Sequence, residues 1–469
     1  MEALFSVSVF VIAGVFLVVR WRSTGFGDAP LWYVFSSVVF INAGFLVRAI
    51  QVGGGLNRWA WDASVVVSLG LLFFMIGVTL RGMHSGAAGP NAPRAQRRRN
   101  TEDAPSIPLG PASAAKRLIV AAAVTMIPAW LYFVLLGYVP LFQGISAIAS
   151  EGLGGAGALQ AARLGRDAYV SAEARHIPMQ GLMELARNIG SPMVASYAVS
   201  QWLRYGYSGL RLVVLVSSVV TVLLAGQRWP IAYLALALMA AISLSGGGRS
   251  LKTIGKLVPI VVVLGLATSV MQNRTNEKFE SWGESIQFAA GNLINRIFYE
   301  QSYMSLASYE FAAFRAGELK GESYLMSLAA YVPGPGVSFP AEFYRRVTGV
   351  DAGWTAAPDF YTESYINFGL LGVVVVSLLW GAFVANLPRF RFSREPALQV
   401  GLQSGLLAVL AQSCYTGPVF TLGGFLMAAA ILAAVRIFAP TSPHELITVR
   451  RSTRSSLSHR PTLASNRGR

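Results

Sequence analysis

The sequence is dominated by uncharged apolar runs of about 17 to 22 residues, the length that an α-helix needs to cross a lipid bilayer. Of its residues, 54% are hydrophobic and only 13% are charged, whereas an ordinary soluble domain is roughly 25% charged. A transmembrane β-barrel would instead show alternating segments of about ten residues, and the sequence lacks that pattern. These observations predict an all-α polytopic integral membrane protein.

The runs predict about eleven transmembrane helices, with about 10 to 12 as the range. No charged segment precedes the first run and no small-residue cleavage site follows it, so a retained helix is predicted there. The candidate spans are residues 3–20, 30–50, 62–80, 117–138, 191–203, 209–226, 229–246, 253–271, 363–385, 397–414 and 417–438.

The spans divide the chain into membrane regions and connections. Two basic segments rich in Gly, Ala, Pro, Ser and Arg have a composition typical of disorder. In chain order the regions are N-terminal spans (1–83), a basic loop (84–116), further spans that include the long loop 139–190 (117–271), a large loop (272–362), C-terminal spans (363–438) and a basic tail (439–469).

The distribution of Lys and Arg predicts the orientation, because basic residues collect in cytoplasmic connections. With the basic loop placed in the cytoplasm, alternation of the spans puts 24 of the 38 basic residues on that side, with only 5 of the 22 acidic residues. The N terminus and the two long loops are therefore predicted outside, and the C terminus inside. The basic segments concerned are 20–28, 81–117, 204–211, 246–256, 386–396 and the tail from Arg436.

The composition also excludes several classes of function. The net charge of +16 is accounted for by topology, and neither basic segment offers a folded surface for a nucleic acid. Both can contact anionic membrane lipids. The single cysteine, Cys414, excludes an internal disulfide and is expected in the core. The four histidines are scattered and no Asp-x-Asp occurs, so no metal site and no cofactor are predicted.

Both long loops carry polar residues that the topology does not require, as expected where loops form a site. A helix predicted over about 157–175 in the first loop places Arg163 and Arg166 on one face, and Arg175 and His176 follow it. A helix predicted over about 284–314 in the second loop places Arg296, Glu300 and Tyr303 on one face. The loop then re-enters the membrane through a segment that contains Asp359, Tyr361, Glu363, Tyr365 and Asn367.

These residue types suit a lipid diphosphate and a sugar. Arginine binds phosphate oxygens through a planar, permanently charged fork, and it can neutralise the charge that develops on a departing diphosphate. A neighbouring carboxylate or His can take the proton of an attacking sugar hydroxyl. Aromatic rings such as those of Tyr361 and Tyr365 can stack on sugars or anchor the interface.

Each candidate also has a purely structural interpretation. The Arg163–Asp167 and Arg296–Glu300 pairs can be ordinary helical ion pairs. Glu363 opens a span, where the helix dipole stabilises an acid, and Asp359 is expected to be a turn residue or a cap. Two glycines of the re-entering span, Gly369 and Gly372, are expected to permit close helix packing.

In its last two-thirds the sequence resembles the O-antigen polymerase family of bacterial oligosaccharide repeat-unit polymerases. The resemblance is carried by the Tyr-Val-Pro-Leu-Phe exit at 138–142, the Gly-Gly-Arg-Ser turn at 247–250, and the Gly-Glu-Ser-Tyr segment at 321–324 followed by Val332-Pro333. The re-entry segment from Pro358 through Glu363, Asn367 and Gly369 to Gly372 adds the most specific match. Relatives often carry Arg after that Val-Pro, whereas Gly334 stands here.

The resemblance implies a membrane-embedded glycosyltransferase of the GT-C type at the outer face of the bacterial inner membrane. Its expected partners are undecaprenyl-diphosphate-linked oligosaccharide, membrane lipids and a chain-length regulator protein. The family's loop arginines map to Arg163, Arg166, Arg175 and Arg296. The resulting hypothesis assigns catalysis to Arg163, Arg166, Arg296, Glu300 and Glu363, and substrate binding to Arg175, His176, Tyr303, Asp359, Tyr361, Tyr365 and Asn367.

Three alternatives stay open. An O-antigen ligase hands the finished glycan to a different acceptor. A GT-C transferase that uses a polyprenyl-monophosphate sugar usually places an acidic pair in its first outside loop, and the corresponding connection here has none. A transporter or flippase would show paired broken helices and charges at the midplane, in two related halves. The predicted spans have almost no internal charge.

Overall fold

In the computed structural model, all regular secondary structure of the described residues is helical, which confirms the all-α prediction for that part of the chain. The structure describes residues 2–44, 58–84, 110–151, 179–224, 228–246, 282–295, 301–313, 319–329, 342–343, 358–417 and 419–440. The helices are α1 Glu2–Thr24, α2 Ala29–Ser37, α3 Arg58–His84, α4 Pro111–Leu136, α5 Pro140–Glu151, α6 Gln180–Leu185, α7 Ser191–Tyr205, α8 Gly209–Leu223, α9 Arg228–Gly246, α10 Trp282–Asn295, α11 Gln301–Ala313, α12 Glu322–Ala329, α13 Phe360–Asn386, α14 Pro396–Thr416 and α15 Val419–Phe438.

Six of the described helices are long and apolar enough to cross a membrane, which is compatible with a multi-pass membrane protein. Three shorter apolar helices, Ala29–Asn42, Gly209–Leu223 and Pro230–Ser245, coincide with further predicted spans. The predicted span 253–271 lies outside the described residues. The six long segments are Leu4–Thr24, Ala60–Met83, Ala112–Leu136, Phe360–Asn386, Pro396–Thr416 and Thr421–Phe438.

Local sequence signals set several helix ends. Proline stands in the first turn of α4 and α14, where its missing N–H is not needed by the helix. Gly137 ends α4 with a φ of 81°, a left-handed cap that glycine adopts at little cost. Two helices contain a π-helical turn, Val38–Asn42 after α2 and Ala186–Gly190 between α6 and α7. Such turns leave the backbone hydrogen-bond ladder locally irregular.

Helix α14 is the centre of the bundle. Of the residues in its most apolar stretch, 89% are buried, against 11% in the peripheral helix α1. One side of α14 packs in a cluster formed by α2, α3 and α13, represented by Tyr33, Phe74 and Leu410. Its other side packs with α4, α7 and α15, represented by Tyr197 and Leu406. Cys414 is fully buried in the first cluster, as the sequence predicts.

Helices α3 and α13 cross at very short range. A Cβ atom at Gly77 would collide with the carbonyl oxygen of Leu378, and one at Gly381 would collide with that of Phe74. Small residues at a crossing let helix backbones approach closely, and this packing stabilises association inside a bilayer. The contact fixes the direction of α13, whose first turns carry the candidate site.

A buried polar network joins four helices at one end of the bundle. Arg117 Nη1 lies 3.2 Å from Glu395 Oε2, and its Nε donates to the carbonyl of Ala439 at 3.2 Å. The Tyr197 hydroxyl donates to Glu395 Oε1 at 2.6 Å. Burial raises the pKa of Glu395, while Tyr197 and Arg117 lower it. The network ties the start of α4 and α14 to the end of α15 and the middle of α7.

Further contacts bring the remaining basic segments to this same end. Ser245 Oγ donates to Ser200 Oγ at 3.1 Å, and a Cβ at Gly27 would meet Leu244. Arg81 Nε donates to Asn386 Oδ1 at 2.9 Å. The described parts of the segments predicted to be cytoplasmic therefore share one end of the bundle.

Candidate functional site

The structure describes five of the predicted site residues completely: Asp359, Tyr361, Glu363, Tyr365 and Asn367, all at the start of α13. Tyr303 belongs to α11, but its side chain is outside the described part. The remaining candidates lie outside the described residues, namely Arg163, Arg166, Arg175, His176, Arg296 and Glu300.

Asp359 is the N-cap of α13. Its Oδ1 accepts hydrogen bonds from the backbone N–H groups of Tyr361 at 2.9 Å and Thr362 at 3.0 Å, and Oδ2 accepts one from the Thr362 hydroxyl. Such bonds satisfy N–H groups that have no partner within the helix. Burial raises the pKa of Asp359, although hydrogen bonds from Thr362 and from Ser305 of α11 lower it. The capping interpretation is confirmed.

Glu363 is a buried acid in the first turn of α13, with only 3% of its surface exposed. The Ser323 hydroxyl donates to its Oε1 at 2.7 Å. The same hydroxyl accepts a hydrogen bond from Asn367 Nδ2 at 2.6 Å, and Nδ2 also donates to the Glu363 carbonyl at 2.8 Å. No lysine or arginine of the described ranges pairs with the carboxylate. The Glu363 carboxylate is thus oriented by a neutral donor, the Ser323 hydroxyl.

A tight turn at residues 319–322 is fastened to α13 by its backbone. Lys320 N–H donates to the Asn367 carbonyl at 3.1 Å, and Gly321 N–H donates to Asn367 Oδ1 at 2.9 Å. In the first turn of α12, the Tyr324 hydroxyl lies 3.1 Å from the Ser364 hydroxyl of α13. We call residues 320–324 and 363–369 together the clasp. It joins two sequence motifs that stand about 40 residues apart in the chain.

Tyr324 closes the clasp on the side of α12. Burial raises the pKa of its phenol, and the nearby Glu363 carboxylate raises it further. The phenol therefore remains protonated and can act as a hydrogen-bond donor at neutral pH. Its ring lies 6.2 Å from that of Phe368, so apolar packing accompanies the polar contacts.

Gly417, in the connection between α14 and α15, borders the second carboxylate oxygen of Glu363. A Cβ at this position would collide with Glu363 Oε2. The backbone φ of 83° also disfavours any residue other than glycine. Only glycine therefore fits this close to the oxygen that Ser323 does not hold.

Gly369 breaks α13 immediately after the clasp. Its φ of 66° and ψ of −161° are not helical, and this combination is essentially restricted to glycine. A Cβ there would meet nothing within 4 Å, so the prediction that Gly369 permits close helix packing is wrong. At Gly372 a Cβ would meet Phe368 and Ser364 of the same helix. Gly369 instead bends the backbone where the loop is attached.

The two tyrosines predicted to contact sugars are engaged in packing. Tyr361 is fully buried, and its hydroxyl lies 3.0 Å from that of Ser37 in α2. Tyr365 is half-buried, and its ring lies 5.3 Å from that of Tyr309 in α11. Tyr365 therefore lies closer to the surface than Tyr361 does.

Arg187 is a buried cation that does not belong to the predicted site. It lies in the π-helical turn between α6 and α7 with 1% of its surface exposed. Its guanidinium lies 5.5 Å from the centre of the Tyr132 ring and 5.7 Å from that of Phe133. Since Arg117 marks the opposite end of α4, Arg187 lies toward the same end of the bundle as the clasp. Cation–π contacts stabilise such a charge.

Ser323, Gly417 and Lys320 are also absent from the predicted site. Ser323 lies in the Gly-Glu-Ser-Tyr motif. This motif marks the segment in the sequence but does not predict the contact of Ser323 with Glu363. Gly417 stands before a proline between two apolar runs, a pattern that predicts a turn. Neither signal predicts that both residues meet Glu363.

The arrangement places a buried carboxylate, with one oxygen held and one bordered by glycine, beside an amide and hydroxyls. Such a group can accept a proton from a hydroxyl that approaches within about 2.6–3.2 Å. Within the described ranges, no group of three His, Cys, Asp or Glu side chains could hold a metal ion.

No family model, curated protein or solved structure matches the chain.

Proposed function

We propose that the protein is a GT-C-type glycosyltransferase that polymerises undecaprenyl-diphosphate-linked oligosaccharide repeat units at the outer face of the bacterial inner membrane. The product would be O-antigen, capsule or exopolysaccharide. The proposal includes about eleven spans, with the N terminus and both long loops outside. It rests on the resemblance of the sequence to the O-antigen polymerase family.

The clasp is the observation that supports this proposal most. The Gly-Glu-Ser-Tyr segment and the re-entry segment carry the resemblance independently, about 40 residues apart in the sequence. In the fold they are hydrogen-bonded to each other around Glu363. Two family-like motifs that meet at one buried acid are expected of a site rather than of two unrelated turns.

In the proposed reaction, Glu363 is the general base. Its Oε2 takes the proton of the acceptor sugar hydroxyl, whose oxygen forms a bond to the anomeric carbon of the donor glycan. The bond between that carbon and the donor's diphosphate oxygen breaks, and the diphosphate leaves with the electron pair. Loop arginines, Arg163, Arg166, Arg175 and Arg296, would neutralise its charge.

Other predicted residues have supporting roles in this proposal. Asn367 orients Ser323 and thereby Glu363, and Asp359 fixes the first turn of the helix that carries them. Tyr365, the more exposed of the two predicted tyrosines, is the proposed sugar contact. His176, Glu300 and Tyr303 remain predicted substrate or catalytic residues, and a chain-length regulator remains a predicted partner.

The test is the lipid-linked glycan profile of a strain that lacks the gene, complemented by variants. Glu363→Gln keeps the size of the side chain but removes the base, so we expect a single accumulated repeat unit and no ladder, a loss of about 10²-fold or more. Glu310→Gln changes an exposed acid of α11 that lies outside the clasp and is the matched control. Wild-type levels of ladder with Glu363→Gln would contradict the proposed role of Glu363.

Two alternatives give different profiles. Normal polymer retained on the lipid carrier in the deletion strain would identify an O-antigen ligase, which uses the same donor with another acceptor. A transporter of lipid-linked glycan is favoured by one observation, the break of α13 at Gly369, because discontinuous helices are common in transporters. Repeat units retained on the cytoplasmic leaflet would support that function.

A further inference from the structure

The turn at residues 319–322 has a backbone geometry that lysine rarely adopts. Glu322 N–H donates to the Leu319 carbonyl at 2.7 Å, and the two central residues both have positive φ, 46° for Lys320 and 95° for Gly321. Two successive positive φ angles within a hydrogen-bonded four-residue turn are the mark of type I′. The preferred central pairs of this turn are Asn-Gly, Asp-Gly and Gly-Gly.

Lys320 is therefore a residue that the backbone does not favour. A left-handed conformation costs an ordinary residue free energy that glycine avoids and that asparagine partly avoids. A strained conformation next to a candidate site is a reason to look for a function of the side chain. Met179 is the other described non-glycine residue with positive φ, and it precedes α6.

The position of Lys320 indicates what its side chain can do. Its N–H is hydrogen-bonded to the Asn367 carbonyl, so the Cα atom is fixed beside the clasp. The side chain is exposed, and its ammonium pairs with no acidic group in the parts of the chain that the structure describes. An anchored backbone thus presents an exposed cation on a flexible four-carbon stem beside the clasp.

We propose that Lys320 binds a phosphate group of a lipid-linked diphosphate and so places the attached sugar beside Glu363. Lysine serves as a compact point charge for phosphate, with three donors that adapt to the orientation of the ligand. The identity of the ligand rests on the proposed function, whereas the position of the cation rests on the turn. Lys320 is in this proposal a substrate-binding residue rather than the base.

The turn itself supplies a sharp test. Lys320→Asn removes the charge but creates the Asn-Gly pair that a type I′ turn prefers, so the thermal midpoint should stay equal or rise. Lys320→Arg keeps the charge. Lys116→Asn is the matched control, because Lys116 is also exposed but lies at the start of α4, at the opposite end of the bundle.

The measurement is the affinity of the purified full-length protein for farnesyl diphosphate, a short lipid diphosphate, by calorimetric titration in detergent. We expect Kd to rise about tenfold or more for Lys320→Asn, which is about 1.4 kcal/mol. Lys320→Arg and Lys116→Asn should stay close to the wild type. Unchanged affinity in Lys320→Asn, or no binding by the wild type, would overturn the proposal.

A second arm separates the substrate from ordinary phospholipid. If Lys320 binds a lipid headgroup instead, Lys320→Asn should lower the ratio of phosphatidylglycerol to phosphatidylcholine that co-purifies with the protein in detergent and leave farnesyl diphosphate binding unchanged, which also overturns the proposal. Failure of the proposed polymerase function would give a different pair of results. The deletion strain would keep its polymer ladder, while the charge-dependent diphosphate affinity would remain.

Discussion

Asp359 makes the start of α13 sensitive to pH. Burial raises the pKa of its carboxyl above the ordinary value of 3.8, so the folded protein binds this proton more tightly than the unfolded chain does. The resulting contribution to stability is fully present below the ordinary pKa and is lost as the pH rises through the folded value.

We therefore expect the thermal midpoint of the wild type to fall, relative to that of Asp359→Asn, as the pH rises from about 4. Asparagine keeps the capping oxygen, so the variant should fold. The check is thermal unfolding in detergent over a series of pH values, with Glu322→Gln as the exposed-acid control. Parallel profiles for wild type and Asp359→Asn would contradict this account.

At the residue scale, the sequence predicts the local role of a residue, such as a helix cap, but not its contacts with residues that are distant in the chain. The Asp before an apolar run predicts the cap at Asp359, and the structure confirms it. The contact between Glu363 and Ser323 joins residues whose separation is set by the fold, and no local pattern encodes it. The charge distribution predicts only the side of the membrane for Arg117 and Glu395, whereas in the fold they form a buried pair.

At the scale of elements, α13 depends on the conformation of a single residue. Gly369→Ala should lower the free energy of unfolding by about 1–3 kcal/mol, because its φ and ψ are open essentially only to glycine. Activity should fall as well, because a straightened helix would move the Asn367 carbonyl away from Lys320. Unfolding in denaturant and glycan profiles measure both effects.

Gly14→Ala is the control for this change. Gly14 lies inside α1, where an added Cβ would meet nothing within 4 Å, as at Gly369. Alanine favours a helix over glycine by about 1 kcal/mol, so this variant should be as stable as the wild type or more so. Equal stability of both variants would contradict a special backbone at Gly369.

Periodicity and composition predict the helices well but not their interruptions. Apolar runs predict α13 and α14 within a few residues, since length and hydropathy decide them. The break at Gly369 and the π-helical turns at 38–42 and 186–190 leave no trace in the hydropathy of the sequence. The glycine was visible in the sequence, but its positive φ was not.

At the scale of the whole molecule, the predicted orientation can be tested by cysteine labelling. Cys414 is the single cysteine and is buried, so the natural chain should react little with a membrane-impermeant maleimide. Glu310→Cys, at an exposed position of α11, should be labelled in spheroplasts, whereas Ala95→Cys should need permeabilised membranes. The reverse pattern would overturn the orientation.

Charge and contacts agree on which connections lie at the same end of the bundle. The segments chosen by their Lys and Arg content meet at one end of the bundle, because alternating spans must return to the same side. The side of the membrane to which that end belongs remains a prediction from charge.

The break in α13 also affects how deep in the membrane the proposed reaction takes place. The longer part, residues 370–386, has roughly 17 residues and is about 25 Å long, shorter than a hydrocarbon layer of ~30 Å. If Asn386 lies at one boundary, Glu363 and the clasp begin near the other boundary, at its acyl-chain side rather than in bulk water. A lipid-linked glycan could then reach Glu363 by lateral diffusion within one leaflet, and a thicker bilayer would carry the site deeper.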